Sequence, residues 1–376
     1  MNYKTLLLSG ILPAFLHFNS NADSIPNIFG ASYTSDIISN FSGGKKQGIG
    51  YLGMANFTLD LKSEDLGLWK NTGFFVKAAN THGCMPSSEF IGDFQVASNI
   101  EAGNLTYLQE IWISQKIKKI EIRAGLMDLN TDFLVTDNGS EYLNSSFGVV
   151  PTVSGNLPAP IFPLTSIGLY ISYSFNENNN IKTAIFDGKP DDWDINPHNI
   201  YWSHRKNEGW MNFTEFSRKY DLFSKSGNFK IGGYYHSPYQ DKDEDGNFEN
   251  IDLNYGFYFI DDQEIMSFSN GKKINAFLQL AWSPVKNNNP AFYSGLGINI
   301  NGINSSNEND LIGLGLAKIY FHNPYKSETV IEGFYKHYFS EKFFIQPEIQ
   351  YIINPLAEGE ILPDALVSLL RFGIEI

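Results

Sequence analysis

Cysteine is nearly absent: the 376 residues include one, Cys84. A single thiol cannot close an internal disulfide, so no disulfide scaffold holds this chain together. His82-Gly83-Cys84 has too few further ligands nearby for a metal site and reads as a loop thiol. Basic residues are also scarce, 27 Lys and Arg against 41 Asp and Glu, for a formal net charge of −14. Such a surface offers no basic face for phosphates, which excludes nucleic acid as a partner. Long hydrophobic runs are missing after the first stretch. Nowhere in 23–376 do 18 apolar residues follow one another, so no helix spans a membrane. Enzyme signatures are missing too: no GxSxG, HExxH or P-loop pattern occurs. Asp191-Asp192 and Asp261-Asp262 are paired carboxylates, but neighbours on a strand point to opposite faces and cannot flank one bond. His198 and His204 stand in a polar loop without a nucleophile–base arrangement, so the chain is read as no enzyme.

What is present points elsewhere. Residues 1–22 have the form of a secretory signal peptide. Lys4 gives a positive start, an apolar stretch runs from Leu6 to Phe18, and Ser20-Asn21-Ala22 suits cleavage before Asp23. The stretch is too short for a transmembrane helix, and Pro13 interrupts it. Aromatics make up 15% of the chain, with 30 Phe and 20 Tyr, alongside 33 Gly and only 18% charged residues. That is the profile of many short strands joined by polar loops. In an exported protein it suggests an outer-membrane barrel.

Period-2 alternation supports this reading. From Ile49, one face carries Ile49, Tyr51, Ala55, Phe57 and Leu59 and the other Asn56, Thr58 and Asp60. From Leu105, Leu105, Tyr107, Gln109, Ile111 and Ile113 are expected on one face, with Thr106, Leu108, Glu110, Trp112 and Ser114 on the other. Ile120, Ile122 and Ala124 oppose Glu121 and Arg123; Ile345, Pro347 and Ile349 oppose Gln346, Glu348 and Gln350. Sixteen such segments start near 27, 48, 72, 104, 119, 166, 180, 209, 227, 253, 273, 291, 311, 328, 342 and 364. Those near 180 and 209 alternate poorly. Even-numbered connections are short and several odd-numbered ones long, as in a barrel with turns at one rim and loops at the other. The expected fold is therefore all-β: one domain, 23–376, forming a closed 16-stranded antiparallel transmembrane β-barrel. The connections 81–103 and 128–165, rich in Gly, Pro, Asn and Asp, are expected to fold inward and narrow the pore.

One segment carries sharper local chemistry. Residues 241–252 have the spacing of a calcium loop, with Asp241, Asp243 and Asp245 at positions 1, 3 and 5, Gly246 at 6 and Asp252 at 12. Position 12 is Asp where Glu normally gives bidentate binding, and no flanking helices are expected. A solvated acidic loop is the simpler reading. No other cofactor is expected.

The residues also resemble a known family. His82-Gly83, then Ile91-Gly92-Asp93-Phe94-Gln95, Ala97-Ser98-Asn99-Ile100-Glu101-Ala102, Glu110-Ile111-Trp112-Ile113-Ser114-Gln115 and Arg123-Ala124-Gly125-Leu126-Met127-Asp128 occur in order. Leu143-Asn144-Ser145-Ser146-Phe147-Gly148, Asn156-Leu157-Pro158, Phe186-Asp187-Gly188-Lys189-Pro190, Ile345-Gln346-Pro347 and Arg371 follow. Together they resemble the carbohydrate-selective outer-membrane porins. The resemblance implies sixteen strands, both termini in the periplasm, and passive uptake of small sugars, with glucose the usual one. A general porin for other solutes on the same barrel is the alternative. It also implies outer-membrane lipid and lipopolysaccharide as surroundings, insertion by the barrel assembly machinery, and a homo-oligomer as an available state. The last residue, Ile376, departs from the usual terminal Phe, although Leu370, Phe372 and Ile374 keep an apolar face.

Sugar selection needs polar side chains that replace water and an aromatic face, with binding weak enough to release. Lumen parity nominates Glu110, Trp112, Arg123, Glu348 and Arg371, and the loop motifs add Asn99, Asp128, Asn144 and Asp187.

Overall fold

A computed structural model describes residues 28–376 except 68, 204, 206, 243–247, 270, 287, 304–308, 323–325 and 357–358. The signal-peptide expectation for 1–22 lies outside the described residues. The chain forms β1 (Phe29–Ser42), β2 (Gly48–Lys62), β3 (Thr72–Gly83), β4 (Leu105–Ile117), β5 (Ile120–Met127), β6 (Ser166–Ser174), β7 (Asn179–Asp187), β8 (Trp210–Leu222) and β9 (Lys225–His236). A small hairpin, β10 (Tyr239–Lys242) and β11 (Phe248–Ile251), intervenes. Then come β12 (Asn254–Ser267), β13 (Lys273–Trp282), β14 (Phe292–Asn301), β15 (Leu311–Tyr320), β16 (Ser327–Ser340), β17 (Phe343–Ile353) and β18 (Ala365–Glu375).

All strands except β10 and β11 join in one closed antiparallel barrel of 16, sealed by β1 against β18 with Ser32 opposite Glu375. Closure leaves no unpaired strand edge toward lipid. Each barrel strand begins within two residues of its expected start. The hairpin was not expected: its strands are four residues long and pair only with each other, so they carry no barrel periodicity. The connections 118–119, 175–178, 223–224 and 341–342 share one rim with both chain ends. The connections 84–104, 128–165 and 188–209 leave the other.

Alternation holds where lipid and water are the two surroundings and fails where they are not. On β4 a bulge shifts the register, pairing Lys77 with Glu110 and Ala78 with Leu108. Tyr107 and Gln109 are therefore buried on the inner side above the bulge, and Glu110 and Trp112 point inward below it. The single face expected for Leu105, Tyr107, Gln109, Ile111 and Ile113 is thereby corrected: it changes sides at the bulge. On β7 and β8 the upper part of the inner face is apolar, because Phe186, Met211 and Phe213 pack against a loop inside the barrel. Their outer face carries Thr183, Asn212 and Thr214, which satisfy one another: Thr183 and Thr214 hydroxyls are 2.9 Å apart, and Asn212 Nδ2 donates to Thr183 Oγ1 at 3.1 Å.

Both connections expected to fold inward do so. Residues 128–165 pack a hydrophobic core inside the barrel. Tyr142 meets Phe147, Phe277 and Phe334 at centroid distances of 4.7, 5.3 and 4.9 Å. Gly297 and Gly315 on the wall make room for it, since a Cβ there would lie 2.7 and 2.5 Å from the Tyr142 ring or hydroxyl.

Candidate functional site

The inner loop is a belt fastened to the wall. Carboxylates from different strands accept its backbone amides. Glu215 on β8 takes the N–H of Leu134 at 3.2 Å, and Asp262 on β12 takes those of Asp137 and Asn138 at 3.1 and 3.0 Å. Glu332 on β16 takes Leu143 and Asn144 at 2.6 and 3.1 Å. Wall cations hold the opposite charge on the loop. Arg123 on β5 donates to Asp132 at 2.7 Å, Lys336 on β16 pairs with Glu141 at 2.8 Å, and Lys182 and Lys230 donate to the carbonyls of Asp132 and Val135. The belt thus follows the wall from β5 round to β17, where Gln346 donates to the Glu141 carbonyl at 2.9 Å. Loop 84–104 lies above it. Glu328 on β16 accepts from Phe94, Gln95 and Leu356 at 2.8, 2.9 and 2.8 Å. Charge-assisted bonds of this kind are about twice as strong as neutral ones.

Between the loops and β18, β1 and β2 lies a cavity of about 460 Å³, the candidate passage. One part of its lining is polar: Thr34, Gln95, Asn99, Glu101, Asn130, Ser145, Ser146 and Arg371. Another part is apolar: Phe94, Ile100, Val149 and Phe162. Arg371 is neutralised by Asp36 through a two-point contact, Nε to Oδ1 at 2.7 Å and Nη2 to Oδ2 at 2.8 Å. Asp36 also accepts from Ser98 Oγ at 2.6 Å, tying the upper loop to the same pair. Three atoms of its lining residues, Gln95 Oε1, Asn99 Oδ1 and Ser146 Oγ, are buried without a hydrogen-bond partner among the described residues. Burial, with Asp93 close by, pushes the Glu101 carboxyl up to about 7, and burial raises Asp93 to about 6.

Of the residues expected to form the site, Asn99 and Arg371 line this passage. Glu110, Trp112 and Arg123 form a separate cluster. Trp112 is sandwiched between Phe75 at 5.0 Å and the Arg123 guanidinium at 4.4 Å, and its Nε1 donates to Glu110 at 3.2 Å. Both faces of its ring are covered, so neither is open to a sugar. Arg123 is committed to Asp132 and Glu121. Asp128 is buried at the start of the belt, where it caps Leu129–Thr131 and accepts from Gln109; burial raises its pKa. Asn144 caps the short helix Ser145–Gly148 and donates to Gln350. Glu348 is enclosed by Gln346 and Gln350 at 3.3 and 2.7 Å. Asp187 sits at the end of β7, away from the passage.

Within the acidic segment, Asp241 pairs with Lys189 and lies in the β10–β11 hairpin, and Asp252 is exposed. Asp243 and Asp245 lie outside the described residues. Among the described residues, no group of three or more His, Cys, Asp or Glu is placed to hold a metal ion. Asp261 and Asp262 do point to opposite faces: Asp262 grips the belt inside, and Asp261 accepts from Tyr220.

Sequence reasoning missed the anchors Glu215, Asp262, Glu328 and Glu332. Their signal was a lone carboxylate among apolar lumen-facing neighbours, as in Val330-x-Glu332-x-Phe334.

The solved structures that share this fold include OprB of Pseudomonas putida at high pH. It has a TM-score of 0.81 at 18% identity, over 93% of this chain and 94% of that one. The low-pH structure of the same protein aligns with a TM-score of 0.59 at 14% identity, over 93% and 92%. The trimer form of OmpT from Vibrio cholerae gives 0.55 at 10% identity, over 93% and 98%. No curated protein matches by sequence. The sequence profile of the carbohydrate-selective porins, OprB family, matches residues 46–375. The chain belongs to that family, and is a passive sugar channel of the bacterial outer membrane rather than an enzyme.

Proposed function

We propose that the preferred solute is a neutral monosaccharide of glucose type, and that it is read in the passage beside β18 and β1. The observation that carries this is the pairing of half-buried polar side chains, Thr34, Asn99, Asn130 and Ser145, with an apolar stretch from Phe94, Ile100 and Val149 in one lining. A pyranose has the same two-sidedness: hydroxyls at its edge and C–H groups on its face. Sugar hydroxyls both donate and accept, and so suit a lining of mixed amide and hydroxyl groups. The neutralised Arg371–Asp36 pair leaves little net field to select an ion by its sign. The long-loop rim faces the medium, and the short-turn rim with both termini faces the periplasm, as the lengths of the connections support.

Liposome swelling tests the reading. Glucose should enter faster than a neutral amino acid of similar size, and Asn99→Ala should narrow the difference. Rates that depend on solute size alone would leave a general porin.

A further inference from the structure

The wall of this barrel is lowest at β5, β6 and β7, which have 8, 9 and 9 residues, against 14 in β1 and β16 and 15 in β2. At roughly 3.4 Å per residue and a tilt of about 40°, such strands rise about 21–23 Å. A lipid-facing apolar band is about 25 Å tall. On this side the wall falls short of it.

Loop 188–209 fills the deficit, reaching inward at Trp193 and outward at Tyr201 and Trp202. It is fastened to the upper end of β4, which β5 no longer pairs above Ile111 and Leu126. Leu108 N donates to the carbonyl of His198 at 3.0 Å, and Asn199 Nδ2 donates to Leu108 O at 3.2 Å and Thr165 Oγ1 at 3.0 Å. Trp193 packs edge-on against Tyr107 at 5.0 Å. So held, the loop leaves Ile200, Tyr201 and Trp202 exposed, three successive apolar side chains that water would not favour.

Between loop and wall lies a groove of about 400 Å³. Its floor is Ile167, Leu169 and Ile185, all of the lipid-facing set of β6 and β7; Tyr201, Trp202 and Trp210 complete it. The Trp202 ring is steadied by its Nε1 donating to Asn199 O at 3.0 Å. At one end Asp191 accepts from Arg205 at 2.7 Å.

We propose that loop 188–209 is a membrane-seated strap, and that the groove beneath it binds one acyl chain of a membrane phospholipid. The floor is part of the lipid-facing wall, so the bilayer is what meets the groove. The trough spans two strands, about 5 Å centre to centre, the width of one extended acyl chain; a phospholipid seats one chain there and leaves its other in the bilayer. Tyr and Trp at its upper edge stand where amphipathic rings favour the boundary between hydrocarbon and water.

The test uses the full barrel, reconstituted in phosphatidylethanolamine vesicles, extracted with mild detergent and weighed by native mass spectrometry. Wild type should retain one phospholipid per barrel. Leu169→Trp fills the groove while staying apolar, and should lose it. Leu314→Trp, on the lipid face of β15, should keep it. Heat-modifiable gel migration identifies variants that fail to close; should Leu169→Trp be one, Trp202→Ala replaces it, with lipid retention expected to fall at least fivefold. No retained lipid on wild type, or equal retention in a groove variant, overturns the proposal. So does lipopolysaccharide in its place when both lipids are offered, or association between copies that the groove variants abolish.

Discussion

Loops 128–165 and 188–209 leave the same rim two strands apart, yet one turns into the barrel and the other over its outside. The inner one buries Leu129, Phe133, Tyr142, Leu143 and Phe147 almost completely. The outer one exposes Ile200, Tyr201 and Trp202. Apolar content does not separate them. The wall does: along the inner route stand Glu215, Asp262 and Glu332, which accept amides of the belt, and Arg123 and Lys336, which pair with its carboxylates. The outer route offers the unpaired upper end of β4 and an apolar face. A loop without regular structure can lie in a lumen only where its amides find acceptors, because a buried unpaired amide costs about 1–3 kcal/mol. The outer loop needs fewer, since its free backbone groups reach water and its apolar side chains reach lipid.

The comparison breaks most visibly if the anchors are removed. In Glu328→Ala with Glu332→Ala, five amide bonds to carboxylates go, each worth about 1.5–3 kcal/mol. Single-channel conductance should rise several-fold and trisaccharides should enter liposomes. Unchanged conductance would mean that the remaining anchors and the apolar packing hold the loops without these two carboxylates.

Asn99→Ala is expected to act on selection and not on width. Losing one hydrogen bond of about 1 kcal/mol should lower glucose flux at low concentration roughly fivefold, with amino-acid flux unchanged. A parallel fall in both would show that Asn99, which also donates to Tyr142 O, only supports the loop.

A smaller change is expected from Arg123→Ala. Because Arg123 holds Asp132 of the belt, glucose and amino-acid fluxes should rise together, by less than about threefold if the other anchors of similar bond strength hold. A selective loss of glucose flux would instead make Arg123 a sugar contact.

The smallest effect concerns pH. Glu101 is raised to about 7 and Asp93 to about 6, both chiefly by burial. Their carboxyls hold protons in the closed loop at pH values where the open loop has lost them. Closure is therefore favoured at low pH, and the advantage fades as pH rises from about 4 through 7. Amides of Ser87 and Ala97 should be better protected from hydrogen exchange at pH 5 than at pH 8, after correction for intrinsic rates. Glu101→Gln should shrink the difference; equal protection at both pH values would remove the effect.

The sequence by itself determined the barrel, the place of each of its sixteen strands and the family. Lipid on one side and a wet lumen on the other impose a period of two, and turns interrupt it, so both signals are local. It also pointed to 81–103 and 128–165 as the loops that fold inward, and nominated Asn99 and Arg371, which line the cavity between them and the wall. The tertiary structure alone decided which lumen groups face solute and which are spent on anchoring. Arg123, Glu110 and Glu348 have the right parity, yet each is taken up by another protein group: Arg123 by Asp132 of the belt, Glu110 by Trp112, which Phe75 and Arg123 hold, and Glu348 by Gln346 and Gln350, which the loops hold. Parity tells which side of a wall a residue faces. What stands opposite it depends on how the loops cross the lumen, and that is settled by contacts such as Phe94 to Glu328, between residues far apart along the chain.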